Sequence, residues 1–114
     1  MRVMSRVLPG IERIRARFID LLGVRLVEID ALCTDETDPR DMADRLKGAQ
    51  TILHQIAGTA GTLGYTDFGD CARRCEEMII AHLDGGRPRL DAILRELGSF
   101  AETAEDLMRT RMAG

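Results

Sequence analysis

The sequence has no tryptophan, one tyrosine and three phenylalanines. Proteins that hold single-stranded nucleic acid stack its bases on aromatic rings, so no such platform is expected here. Basic excess is missing as well. The net charge is −3 and the isoelectric point about 5.4, whereas a binder of the phosphate backbone displays a basic footprint. Nucleic acid is therefore not an expected partner. No G-x-x-x-x-G-K-[ST] loop and no G-x-G-x-x-G turn occurs, so the chain brings no nucleotide site of its own. Any phosphate it handles is expected to come from another protein. No apolar run approaches the roughly 18–20 residues of a membrane span, and Met1 to Leu8 is too short and too charged for a signal sequence. Cysteine is scarce and odd in number: Cys33, Cys71 and Cys75. That count argues against a disulfide framework and fits a reducing cytoplasm. Cys71 and Cys75 share one side of a helix but lack further ligands, and read as small core residues rather than a metal pair.

What is present is helical periodicity. The 114 residues suffice for one domain, expected to span 1–114, with residues 1–9 as an N-terminal extension or first helical turn. Apolar residues recur by threes and fours in four segments. The first runs from Pro9 to Cys33 through Ile11, Ile14, Phe18, Leu22, Leu26 and Ile29, and the polar run Thr34 to Thr37 ends it. The second opens at Asp38-Pro39, a cap and first-turn pair. It continues through Met42, Leu46, Ala49, Leu53, Ile56, Ala60 and Leu63 to a stop at Gly64. The third follows Thr66 as N-cap, with Phe68, Ala72, Cys75, Ile79 and Leu83 on its stripe, and ends at Asp84-Gly85-Gly86. The fourth starts near Pro88 and carries Leu90, Leu94, Leu97, Ala101, Ala104 and Met108 inward. Strand signals are nearly absent. Four single-striped helices with short connections predict an all-α, antiparallel up-down four-helix bundle, taken as a monomer. Met42, Met78 and Met108 belong to its core. The basic run from Arg2 to Arg17, broken by Glu12, reads as a solvated face.

One residue stands off this pattern. At about 100° per residue, His54 lies roughly 130° from the centre of the second stripe and faces solvent in mid-helix. Side chains at i+3 and i+4 normally cover residue i on a helix; here they are Ala57 and Gly58, so the imidazole is uncovered. Gly58 and Gly61 cost the helix roughly 1 kcal/mol each relative to alanine. Gly58, roughly 170° from the stripe, makes sense if a partner approaches closely; Gly61 can instead serve helix packing. An exposed imidazole is mostly neutral at pH 7 and has one free lone pair, so it can act as a nucleophile. Its other nitrogen then needs an acceptor, and Glu76, on the flank of the third helix, is in reach. A metal or haem site using His54 and His82 is the weak alternative: the two face different ways, and no Glu-x-x-His pair accompanies them.

The stretch His54-Gln55-Ile56-Ala57-Gly58-Thr59-Ala60-Gly61-Thr62-Leu63-Gly64 resembles the signature of histidine-containing phosphotransfer (HPt) domains, roughly H-x-[LI]-K-G-x-[AS]-x-x-[LIF]-G. The family continues with an apolar residue, a small residue and an apolar–Glu pair, matched here by Phe68, Ala72 and Cys75-Glu76. The motif spans residues 54–76, and the four-helix pattern covers nearly the whole chain. The resemblance implies a covalent phosphoryl carrier without an ATP site, not an enzyme in its own right. His54 is then the phosphorylated residue, Gly58 gives clearance, and Glu76 orients the ring. The implied partners are receiver domains of a hybrid histidine kinase and of a response regulator. They bring their own Mg²⁺, so the carrier needs no cofactor. One departure stands out: the family usually has lysine three residues after the histidine, and here that residue is Ala57. Lys47, Gln50 and Arg73 are the possible substitutes. With Thr51, Ala57 and Gly61 they complete the expected phosphate and partner surface. A module that binds receivers without carrying phosphate is the alternative that the missing lysine suggests.

Overall fold

The computed structural model describes residues 9–34 and 39–113. Helix α1 spans Pro9–Thr34, α2 Pro39–Thr62, α3 Thr66–Gly85 and α4 Leu90–Ala113. Residues 1–8, the run Asp35-Glu36-Thr37, the Asp38 cap and Gly114 lie outside the described residues. Each helix packs on the next, and α4 returns to α1. The result is the expected antiparallel four-helix bundle, and all four helices contribute buried residues to one core.

The helix ends follow from backbone chemistry. The last carbonyls of a helix have no partner within it. Gly64 takes φ +90, a left-handed conformation that glycine adopts without a Cβ clash. This lets Tyr65 N–H return to the Ala60 carbonyl at 2.8 Å. Arg15 of α1 donates from Nε to the Leu63 carbonyl at 3.1 Å, tying the end of α2 to its neighbour. Gly86 at φ +78 closes α3 in the same way, its N–H on the His82 carbonyl. At the start of α3, Thr66 is the first helical residue rather than the cap. Tyr65 precedes it without a side-chain cap bond, and its ring is stacked on Phe18 at 5.7 Å.

The α2 stripe is buried as read from Leu46 onward, with Leu46, Ala49, Leu53, Ile56, Ala60 and Leu63 each at most 4% exposed, while Met42 at its start is half-buried. Two stripes differ from expectation. In α1, Phe18, Leu22, Ile29 and Cys33 are buried, but Ile11 and Ile14 are exposed. The Arg15–Leu63 contact places residue 15 level with the end of α2, so Ile11, a turn earlier, lies past that end, whereas Ile14 borders an open groove beside Gln55, Ile56 and Thr59 of α2. In α4, Leu94 is exposed, while Ile93 and Phe100 are buried. Two adjacent rows of this helix share Leu97 and Ala104. The row that also holds Phe100 turns inward, because Phe100 stacks on Phe68 at 5.1 Å. Phe68 in turn meets Phe18 edge-on at 6.3 Å. The four aromatic residues of the chain thus form one line of ring contacts from α1 through α3 to α4.

All three cysteines are free. Burial pushes the Cys33 thiol up to about 11, with Asp30 adding to the shift. It pushes the Cys75 thiol up to about 12, with Cys71 and Glu96 adding. In the unfolded chain a thiol ionises near 9.0. Above that pH the unfolded chain has released protons that the fold keeps, so alkali favours unfolding. The urea midpoint should therefore fall as pH rises from about 9 toward 11–12, and fall less steeply in Cys33→Ala. Identical slopes in the two proteins would contradict this origin.

Candidate functional site

Helix α2 buries one side and offers the other to solvent, and His54 sits on the open side. Its side chain is 76% exposed, whereas that of Glu76, across the α2–α3 seam, is 11% exposed. Among the described residues Glu76 is the one charged residue in the buried set. The two meet at 2.9 Å, Nδ1 to Oε2. A carboxylate can only accept, so Nδ1 carries the proton and donates it. Nε2 is left with its lone pair, on a ring whose tautomer and orientation are fixed. A buried carboxylate without a hydrogen bond is costly, so the pair holds from both sides.

The seam is narrow at this point because of Gly69, which the sequence reading did not single out. A Cβ on Gly69 would lie 3.2 Å from the Ala57 carbonyl oxygen and 3.4 Å from both Ala60 Cβ and Gly61 N. Glycine thus lets α3 approach the backbone of α2, and two turns later Glu76 comes within hydrogen-bond reach of His54. Gly58 and Gly61 are different. A Cβ on either would meet nothing within 4 Å. Gly61 therefore serves packing only through its backbone nitrogen, and both glycines leave the face around His54 bare.

A shallow cavity of about 270 Å³ opens beside the histidine. Its walls are His54, Ala57 and Gly58 from α2, with Arg73, Glu76, Glu77 and Ile80 from α3. Ala57, expected on the surface, is only 3% exposed. It lies about 40° from Leu53 on the helix, so its methyl faces the seam. Lys47, Gln50, Thr51 and Gly61 lie outside this cavity. Lys47 and Thr51 are exposed and Gln50 is half-buried; the Thr51 hydroxyl donates to the Lys47 carbonyl of its own helix at 3.1 Å. Arg73 is the one expected cation that the fold brings to the cavity. It is paired with Asp70 at 3.3 Å on the surface.

On the other flank of α2, Gln55 and Thr59 border an apolar groove formed with Ile14, Phe18 and Leu21 of α1. Arg17 and Arg25 rim it. Periodicity placed Ile14 in the core, and Leu21 drew no notice; only the exposure of both reveals this groove. His82 stands apart at the end of α3, half-buried, with Nδ1 donating to the Pro88 carbonyl at 2.8 Å. Among the described residues no group of three or more His, Cys, Asp or Glu could hold a metal ion, and no helix is long and apolar enough to cross a membrane.

Two outcomes follow. Long-range ¹H–¹⁵N NMR should find the neutral His54 proton on Nδ1, and Glu76→Ala should move the population toward the Nε2–H form. An unchanged tautomer ratio would contradict the orienting role of Glu76. Gly58→Ala should raise stability by up to about 1 kcal/mol, since alanine favours a helix and the space is open. Gly69→Ala should lower it, because overpacking of roughly 1–3 kcal/mol outweighs that gain. Urea unfolding of the two variants reads both signs.

Comparison with known proteins agrees with the geometry. The family model described as Hpt domain matches residues 13–110. No match is found among curated proteins or among solved structures. Hpt domains are phosphoryl carriers of phosphorelay signalling that interact with receiver domains and are not catalytic kinases. With a match running through all four helices, the chain belongs to the Hpt domain family.

Proposed function

We propose that the chain relays a phosphoryl group between the aspartates of two receiver domains through His54. The observation that carries this reading is the Nδ1–Glu76 hydrogen bond on a ring that is otherwise open to solvent. The Nε2 lone pair attacks the phosphorus of a receiver's aspartyl phosphate. The Nε2–P bond forms, the P–O bond breaks, and the carboxylate leaves on the receiver. No proton has to be removed from Nε2, so no general base is needed. The proton on Nδ1 stays between the ring and Glu76, where the carboxylate steadies the positive charge that the ring gains. In the return step the ring leaves as a neutral imidazole carrying that same proton. The Mg²⁺ and acidic pocket that stabilise the moving phosphoryl group belong to the receiver.

The bare face at Gly58 and Gly61 gives a receiver room to bring its aspartate to Nε2. The groove at Ile14, Phe18 and Leu21 gives it an apolar shoulder, and Arg17 and Arg25 suit the acidic rim of a receiver's own site. One domain acting as a monomer in the cytoplasm, where receivers are found, completes the reading.

Phosphotransfer from cognate phosphorylated receivers tests it. Wild type should acquire acid-labile phosphate on His54. His54→Gln should acquire none while keeping its helical circular dichroism. If wild type takes phosphate from no cognate receiver, the carrier reading fails and a receiver-binding module without phosphate takes its place.

A further inference from the structure

The cavity beside His54 has an electrostatic imbalance. Two carboxylates, Glu76 and Glu77, line it, and Arg73 is the one cation among its lining residues. A phosphoryl group on Nε2 brings close to two negative charges into that setting. Position 57, three residues after the histidine, offers only a buried methyl. Lys47 lies outside the cavity, two turns away along α2.

We propose that Arg73 is the phosphoryl-binding cation of this domain, supplied from α3 in place of a cation on α2. This rests on His54 being the phosphoryl acceptor. In the unloaded protein Arg73 is held by Asp70 one turn earlier, at 3.3 Å, with side chains 52% and 65% exposed. An exposed pair of this kind contributes little, so the guanidinium can leave Asp70 for a dianion at small cost. Its planar fork can take two phosphoryl oxygens at once, which an ammonium cannot do in the same geometry. Arg73 lies one turn before Glu76 on the same helix. The carboxylate that holds Nδ1 and the guanidinium that meets the phosphoryl group thus come from one rigid element.

The test loads His54 chemically with potassium phosphoramidate, so that no receiver is involved. The donor's P–N bond breaks, the Nε2–P bond forms, and ammonia leaves. ³¹P NMR then follows the phosphoryl group against pH, and its decay gives a half-life. His54→Gln identifies the signal. In Arg73→Ala the phosphoryl ionisation should move up by roughly half a pH unit, because an adjacent cation favours the dianion. The half-life should shorten about threefold, the effect of losing a modest exposed charge contact. Arg73→Lys should recover part of both, and Arg73→Ala with Ala57→Lys should restore the ionisation by placing a cation on the α2 side. Removing a merely structural contact would move the melting temperature and leave the ionisation alone. Unchanged ionisation and half-life in Arg73→Ala overturn the proposal, as does a wild type that phosphoramidate cannot load at His54. Normal chemical loading with no uptake from any receiver defeats the relay reading and leaves the role of Arg73 standing.

Discussion

The approach of α3 to α2 at Gly69 is the constraint on which the site depends. Backbone and side-chain atoms of α2 lie 3.2–3.4 Å from where a Cβ of residue 69 would sit, so any side chain there would push against the backbone of α2. Closure of the seam sets the reach from α3 to α2, and that reach decides whether a glutamate on one helix can hold an imidazole on the other. The aromatic line from Tyr65 through Phe18 and Phe68 to Phe100 fixes how α3 is rotated at the same level. Together the missing side chain and the stacked rings leave Glu76 one place to go, the seam beneath His54.

Division of labour between the helices is the second theme. Helix α2 supplies the nucleophile and a face stripped of side chains. Helix α3 supplies the buried acceptor and the cavity's cation. Helix α1 contributes an apolar shoulder with two arginines at its rim. Helix α4 closes the core from behind and gives the cavity no lining residue. Chemistry and docking thus both lie against α2, one on its α3 flank and the other on its α1 flank.

Much of this was legible from residue spacing, and the exceptions have physical causes. The α2 stripe was clear because its two faces differ sharply in polarity, which is also why His54 stood out. In α4 two apolar rows share Leu97 and Ala104, so spacing alone could not choose between them; the ring of Phe100 did. Ile11 and Ile14 fit the period of α1, but period says nothing about where a neighbouring helix stops, which exposes Ile11, or about the groove left open beside α2, which exposes Ile14. The Glu76 contact could be expected from its place after the histidine. The glycine that permits it could not, because Gly69 looks in sequence like any other helix glycine. Arg73 was one of three candidates, with Lys47 and Gln50, until the packing of α3 placed it at the cavity.

The exposure of His54 also bears on how such a domain can be read by others. Its ring is held by a hydrogen bond at Nδ1, and the side chain is 76% exposed. A group attached at Nε2 displaces no packed atom and strains no helix. The core of the bundle therefore has no packed atom to move when the ring is loaded, and the change is confined to side chains on the surface around His54, Arg73 and Asp70. Any partner that distinguishes the loaded from the unloaded protein must do so by charge at one spot on the surface, in the manner of a reader feeling for a single raised dot.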